Sequence, residues 1–405
     1  MSKKVTKSSP KTSFFNKLPK AAWFGIGGVL LAAIVVVVIL LLIPSDSPSE
    51  QTDHPANLPP VTLTAASMDG KWGFVNPEGL WDITPIYEDV RPFDKTRLAA
   101  VKKSGFWGFV DENGTEIIPP VYEEVQNFAN GLAAVCENGR WGFINEAGMN
   151  VISAVYEYVG AFSQCGLAKV QQNGQFGYVD SVGALRIPVQ YEAASAFDAS
   201  GRAAVSVGGL WGFIDEKGTY LVQPQYTAVG TAFRHNMAAV KADTGWGYID
   251  SAGNMVIEAK YEFAGDFSEE GIARVMVGGQ YCYINTSGDF IGQTQFQEAK
   301  DFSGGLGLVA VNKQQGLLKA DGSYAAAPGP FTYPSSLANS PFFFKTADGL
   351  YGYMDNTGAI VVQAQYSAAY PFRESGYAAV CKDGLWGLID KAGNVILDFQ
   401  YEAMK

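Results

Sequence analysis

Histidine is almost missing from this chain: 405 residues contain only His54 and His235. Cysteine is nearly as scarce, with Cys136, Cys165, Cys282 and Cys381, and charged residues make up only 17%. Zinc sites need clustered Cys and His, and no such spacing occurs, so no metal is expected. No Lys or Arg lies between residues 21 and 60. Long helix-forming stretches are also wanting. In their place are 46 Gly and 13% aromatic residues, the mixture that many short strands and tight turns require.

Charge is unevenly spread over a formal net of −11. Six of the 29 basic residues (Lys3, Lys4, Lys7, Lys11, Lys17, Lys20) and three of the 40 acidic ones (Asp46, Glu50, Asp53) precede residue 61. From residue 61 onward 23 basic face 37 acidic residues, a balance of −14. An acidic body is a poor match for a polyphosphate, which argues against nucleic acid as partner.

The first sixty residues read as three pieces. Residues 1–20 form a basic tail. Residues 21–43, "AAWFGIGGVLLAAIVVVVILLLI", are uncharged, and twelve of the last fourteen are β-branched or Leu. About 20 apolar residues span a bilayer as a helix, whereas a cleaved leader carries a shorter core and a small-x-small site. A retained transmembrane helix is expected. Lys-rich flanks stay cytoplasmic, so the tail is placed inside and the long body outside a cell membrane. Residues 44–60, "PSDSPSEQTDHPANLPP", lack apolar content and read as an extended spacer.

The remainder, 61–405, is periodic. An aromatic-Gly pair recurs at Trp72-Gly73, Trp107-Gly108, Trp141-Gly142, Phe176-Gly177, Trp211-Gly212, Trp246-Gly247, Tyr351-Gly352 and Trp386-Gly387. Degraded versions stand at Tyr281-Cys282 and Gln315-Gly316. In phase run Tyr87, Tyr122, Tyr156, Tyr191, Tyr226, Tyr261, Phe296, Phe331, Tyr366 and Tyr401. A third series follows six or seven residues later: Phe93, Phe128, Phe162, Phe197, Phe233, Phe267, Phe302, Leu337 and Phe372. Three markers on one period divide the segment into ten tandem units of about 35 residues.

Each unit alternates as strands do and is punctuated by turn residues. In "GLAAVCENGRWGFINEAGMNVISAVYEYV", Asn-Gly and Asn-x-x-Gly turns separate three strands, a β-meander. "YEEVQNFAN" is the best helical candidate. The Gly after Trp is expected to take φ > 0 or to admit close packing. Tandem alanines such as Ala99-Ala100 and Ala133-Ala134 are expected to face a neighbour's ring. One meander buries too little to offset its chain entropy, so adjacent units must share a core. The fold class is all-β. Propellers usually have four to eight blades and often share a strand between first and last. Here ten units fit end to end, so an open β-solenoid or superhelix is favoured over a closed propeller-like ring.

The phrase "WGFIDEKG…QYTAV…FRHNMAAV" resembles the WG-repeat family of bacterial proteins, over some 345 residues. The resemblance implies binding or scaffolding modules without an agreed catalytic motif. The unit containing "QQGLLKADG" and "PGPFTYPSSLANS" departs most from the pattern.

Chemistry-bearing residues are few. A Ser/His/Asp arrangement would have to use His235, in a slot that other units fill with Ala, Glu, Ser or Gly. Cys136 and Cys381 share a phase seven periods apart, too far for a bridge in a stack. The Asp-x-x-Gly turns (Asp111, Asp180, Asp215, Asp250, Asp355, Asp390) lack the other ligands of a calcium loop. An acid follows the marker Tyr at Glu88, Glu123, Glu157, Glu192, Glu262 and Glu402. Aligned, these carboxylates are either a solvated rim or an acidic track for a sugar polymer or cationic peptide. The run Phe342-Phe343-Phe344 is either a core strand or, if exposed, a partner site. The expectation is a cell-surface binding or scaffolding protein, not an enzyme, with no cofactor and with protein or cell-wall glycan as ligand. The alternative is a surface glycoside hydrolase on a propeller-like scaffold.

Overall fold

Trp141, Gly142 and Tyr156 show why these sequences make the sheets they do. A computed structural model describes residues 62–292 and 295–405. The tail (1–20), apolar run (21–43) and spacer (44–60) lie outside the described residues. Among the described residues no helix is long and apolar enough to cross a membrane, and every regular element is a strand. The helical candidate around Tyr122–Asn130 is instead the end of one strand, the short strand Glu124–Val125 and an isolated bridge at Ala129.

The third sheet is representative. Its four antiparallel strands, positions a to d, are Glu124–Val125, Leu132–Glu137, Arg140–Asn145 and Asn150–Tyr156. Between b and c the chain reverses through Asn138 (φ 53°) and Gly139 (φ 68°). Positive φ at both central residues is the type I′ turn, whose twist matches the strands it joins. Strand d pairs Ile152 with Phe143 and Tyr156 with Trp141, so four residues of d oppose two of c. The bulge lays the backbone of d across Gly142: a Cβ there would sit 2.4 Å from Ile152 O and 2.7 Å from Ala154 N. This close approach, not positive φ, is the reason for glycine after tryptophan.

Gly73, Gly108, Gly212, Gly247 and Gly387 stand in the same relation to strand d. In the blade whose slot holds Cys282, the described residues place the bridges Ile284–Phe290 and Tyr281–Phe296 beside strand c.

The expected three-stranded meander is thus one strand short. Strand a comes from the tail of the preceding unit, two residues beyond its marker Tyr: Tyr122 ends d of blade two, and Glu124–Val125 opens blade three. Sequence unit and sheet are out of phase, and every junction is crossed by continuous chain. Among the described residues eight of the ten sheets have four strands and two have three.

The favoured open solenoid is corrected here. The last strand, Ala403–Met404, pairs with the first, Thr64–Met68, through Ala66–Met404 and Ser67–Ala403. It supplies position a of blade one, completing a ring of ten blades arranged as a β-propeller. Met404, Tyr401, Leu397 and Leu388 pack with Ala66 and Val75 in one core cluster. Tyr401 donates to Gly79 O at 3.1 Å. The phase shift accounts for the misreading: ten complete meanders appear to need no borrowed strand, yet each leaves its tail in the next sheet.

The core is a series of interfaces. Leu132, Ala134, Phe143, Ile152 and Tyr156 of blade three meet Val159, Phe162, Ala168, Val170 and Val179 of blade four. Ala133, beside Ala134 in the chain, belongs to the cluster on the other side, with Phe109 and Phe128. The tandem alanines therefore face both neighbours. Each third-series Phe lies in the a–b loop of a blade, or in the case of Phe162 at the end of strand a, and packs on the c-strand ring of the blade before it. Phe74–Phe93, Phe109–Phe128, Phe143–Phe162, Tyr178–Phe197, Phe213–Phe233 and Tyr353–Phe372 all have centroids 4.7–4.9 Å apart. Such pairs contribute roughly 0.5–1.5 kcal/mol beyond their burial.

Candidate functional site

The acid after the marker Tyr sits between strand d of one blade and strand a of the next. From there its carboxylate reaches the b–c turn of the next blade. Glu88 accepts from Gly105 N at 2.9 Å, Glu123 from Gly139 N at 2.9 Å, and Glu402 from Gly70 N at 3.0 Å. Glu192 accepts from Gly208 N and Gly209 N at 3.1 and 2.9 Å. Glu262 holds Gly279 N through both oxygens, at 3.2 and 3.1 Å. Glu157 takes Gly174 N at 2.9 Å and also the Arg140 guanidinium at 3.2 Å. Those bonds, the Gly174 amide foremost, hold the Glu157 carboxyl below its usual range. The row thus has a structural task, capping turns whose N–H groups point outward.

The Asp-x-x-Gly turns are likewise internally bonded. Asp250 accepts from Ala252 N and Asn254 N, both at 2.9 Å, and from the Asn254 amide at 3.0 Å. Asp390 repeats the arrangement with Ala392 and Asn394. In both, the side-chain amide first and the backbone N–H next lower the carboxyl's pKa. Asp111, Asp180, Asp215 and Asp355 accept backbone N–H bonds in the same turn position. Among the described residues no three His, Cys, Asp or Glu side chains converge as a metal site would need.

His235 lies in an a–b loop with φ 50°. Its Nε2 is 3.0 Å from Ser268 O and 3.1 Å from Glu269 O, both in the next blade's loop. Two carbonyls accept only, so Nε2 carries the proton and donates. The four thiols are free; Cys136, Cys282 and Cys381 are buried, and burial foremost raises the Cys136 and Cys282 thiols above their usual value.

The marker tryptophans are half-buried except Trp107, which is buried, and several slots are roofed by a cation. Arg91 lies 5.0 Å over Trp107, Lys169 5.2 Å over Phe176, Arg274 5.0 Å over Tyr281, and Lys405 4.2 Å over Trp72. In blade ten the roof is aromatic: Tyr370 stacks on Trp386 at 5.1 Å and 26° and stays 47% exposed.

Of the three consecutive phenylalanines, Phe342 and Phe344 are interior. Phe343 is half-buried and meets Tyr351 edge-on at 5.8 Å. They form strand b of blade nine, Phe342–Lys345. That blade has no strand a; the bridge Thr332–Lys345 replaces it. The segment before it contains Pro334, Leu337 and the cis bond Ser340–Pro341. Against this segment lies a cleft of about 80 Å³ lined by Pro334, Ser336, Asn339, Phe342, Phe343 and Pro371.

Sequence reasoning had singled out the irregular unit and the Phe run. It missed Pro371 and Tyr370, which lie beside them in space. Their signal was positional: Tyr370 occupies the slot that Arg91 holds in blade two, and no other unit puts a ring there.

Comparison with known proteins places these features in a wider set. Among solved structures, a crystal structure of the eukaryotic initiation factor aligns over 85% of this chain and 97% of its own, with 11% identity and a TM-score of 0.49. Dihydro-heme d1 dehydrogenase NirN aligns over 78% and 75%, with 12% identity and a TM-score of 0.38. The extracellular domain of the hybrid two component system BT4673 from B. thetaiotaomicron aligns over 84% and 64%, with 9% identity and a TM-score of 0.31. No curated protein sequence matches the chain. The WG containing repeat model matches nine stretches between residues 72 and 405, passing over 315–350 where the unit is irregular. With most of its length matched unit by unit, the chain belongs to the WG containing repeat family.

Proposed function

We propose that this protein binds or scaffolds other surface components and catalyses nothing itself. The observation that carries the reading is the use of the repeated polar groups. The six carboxylates following the marker Tyr each accept a backbone N–H of the next blade. Six equivalent acids in one role give no pair with the divergent environments that acid–base work needs. What the ring offers instead is a broad periodic surface carried by a rigid frame. The apolar run at 21–43 supports a single-pass anchor with its Lys-rich flank in the cytoplasm and the repeats outside. Protein and cell-wall glycan are the ligand classes that suit a surface-displayed ring.

The test is retention. Immobilised full chain should capture defined components from cell-surface extracts, and glycan substrates should remain uncut. Turnover of a glycan, abolished by changing one specific carboxylate pair, would establish the hydrolase in place of this reading.

A further inference from the structure

We infer that the cleft at blades nine and ten is a subsite for the acetamido group of an N-acetylated sugar within a longer glycan. The inference rests on the binding reading above and names its ligand. Three features converge there.

The first is size. A cleft of about 80 Å³ has room for several waters, each needing about 10–15 Å³ of such volume. That is enough for a short side group.

The second is lining. Pro334, Phe342, Phe343 and Pro371 offer apolar walls, Ser336 and Asn339 offer polar atoms, and no lining residue is charged. The Asn339 side chain is exposed, and its carboxamide makes no hydrogen bond within the protein. A primary amide presents a donor and an acceptor side by side, the complement of an acetamido N–H and C=O. The acetamido methyl would meet the proline and phenylalanine walls. A neutral lining also suits a neutral sugar in a body whose net charge is −14.

The third is the adjoining platform. Tyr370 precedes Pro371 in the chain, and its exposed ring is held flat by Trp386. An aromatic ring with a polar tip, fixed by stacking, contacts the C–H face of a sugar at little entropic cost. The other units provide no ring at this position. The site thus arises where the repeat departs from its own rule.

The experiment titrates the full chain with the N-acetylglucosamine tetramer and, separately, with the glucose tetramer of the same linkage, by calorimetry. The acetylated tetramer should bind, with the glucose tetramer weaker by about tenfold, the loss expected when the hydrogen bonds and apolar contacts of the acetamido group are missing. Asn339→Ala, on the surface and free of intramolecular bonds, should weaken the acetylated tetramer by a similar factor. Tyr370→Ala should weaken both tetramers. Equal affinity for the two sugars, or an unchanged affinity in Asn339→Ala, overturns the subsite. If neither tetramer binds while the chain still retains surface components, the subsite fails and the binding reading stands. If nothing is retained either, both fail.

Discussion

Gly142→Ala separates two opposing effects of known sign. Gly142 does not have a positive φ. On chain entropy alone, alanine at a compatible position stabilises by about 0.4–1 kcal/mol through the unfolded state. Packing points the other way. The new Cβ would lie 2.4 Å from Ile152 O, with Ala154 N at 2.7 Å and Ser153 C at 2.8 Å. All three are backbone atoms, so no side chain can swing aside. Strand d must lift by about 1 Å or more to restore ordinary contact, since overpacked sites relax by backbone shift. Lifting breaks the pairing of Ile152 with Phe143 and Tyr156 with Trp141. It also uncovers Ile152 and Tyr156, now 5% and 8% exposed. Partial loss of two such side chains corresponds to about 2–4 kcal/mol. The expected net is a destabilisation of about 2–3 kcal/mol, read as a lower denaturation midpoint of the full chain. Gly139→Ala is the control. Gly139 has φ 68° and open space where its Cβ would go, so only left-handed strain of roughly 1–2 kcal/mol applies. A neutral or stabilising Gly142→Ala, or one milder than Gly139→Ala, would refute the account of the Trp-Gly pair.

Other consequences follow from the same contacts. Removing Glu402–Lys405 takes away strand a of blade one, and small-angle scattering should show the ring opening to a larger radius; an unchanged radius would mean closure does not depend on that strand. Tyr248→Phe deletes the 2.8 Å bond to Gly265 O and should cost about 0.5–1.5 kcal/mol, measured by chemical denaturation. Glu192→Ala leaves two turn amides without their acceptor and should lower the melting temperature slightly, with faster amide exchange at Gly208 and Gly209. For pH, Asp250 and Asp390 titrate in the folded state below their ordinary 3.8. Their contribution is complete above that value and is lost as pH falls through the lowered folded values. A melting temperature that began to drop between pH 7 and 6 would have another cause.

Much of the fold was legible because its determinants are local and repeated. Trp141, Tyr156 and Phe162 recur with their period intact, and Asn138-Gly139 announces a tight hairpin. The all-β class and the ten units follow from such signals, while the choice between positive φ and close packing at Gly142 needed the backbone of strand d. Closure did not. It depends on Ala403–Met404 meeting Thr64–Met68 at opposite ends of the repeat region, and nothing local to "YEAMK" marks it as a strand for the first sheet. The capping role of Glu192 was hidden for a related reason: its partners belong to the next unit's turn. Cys282 was visible as a lapse in the pattern. Asn339, Tyr370 and Pro371 come together only once blades nine and ten are folded.

The seam at Ala403–Met404 has a mechanical side. Every blade-to-blade junction is crossed by covalent chain, but in blade one no chain joins strand a to strand b. There the two are held by a short ladder, a methionine plug, and Lys405 bridging to Asp89 and Val90. Tension applied between residue 62 and a load elsewhere on the ring would therefore concentrate at this clasp before any peptide-linked joint yields. A pull would unfasten the circle there, turning a closed hoop into a string of blades with slack to release.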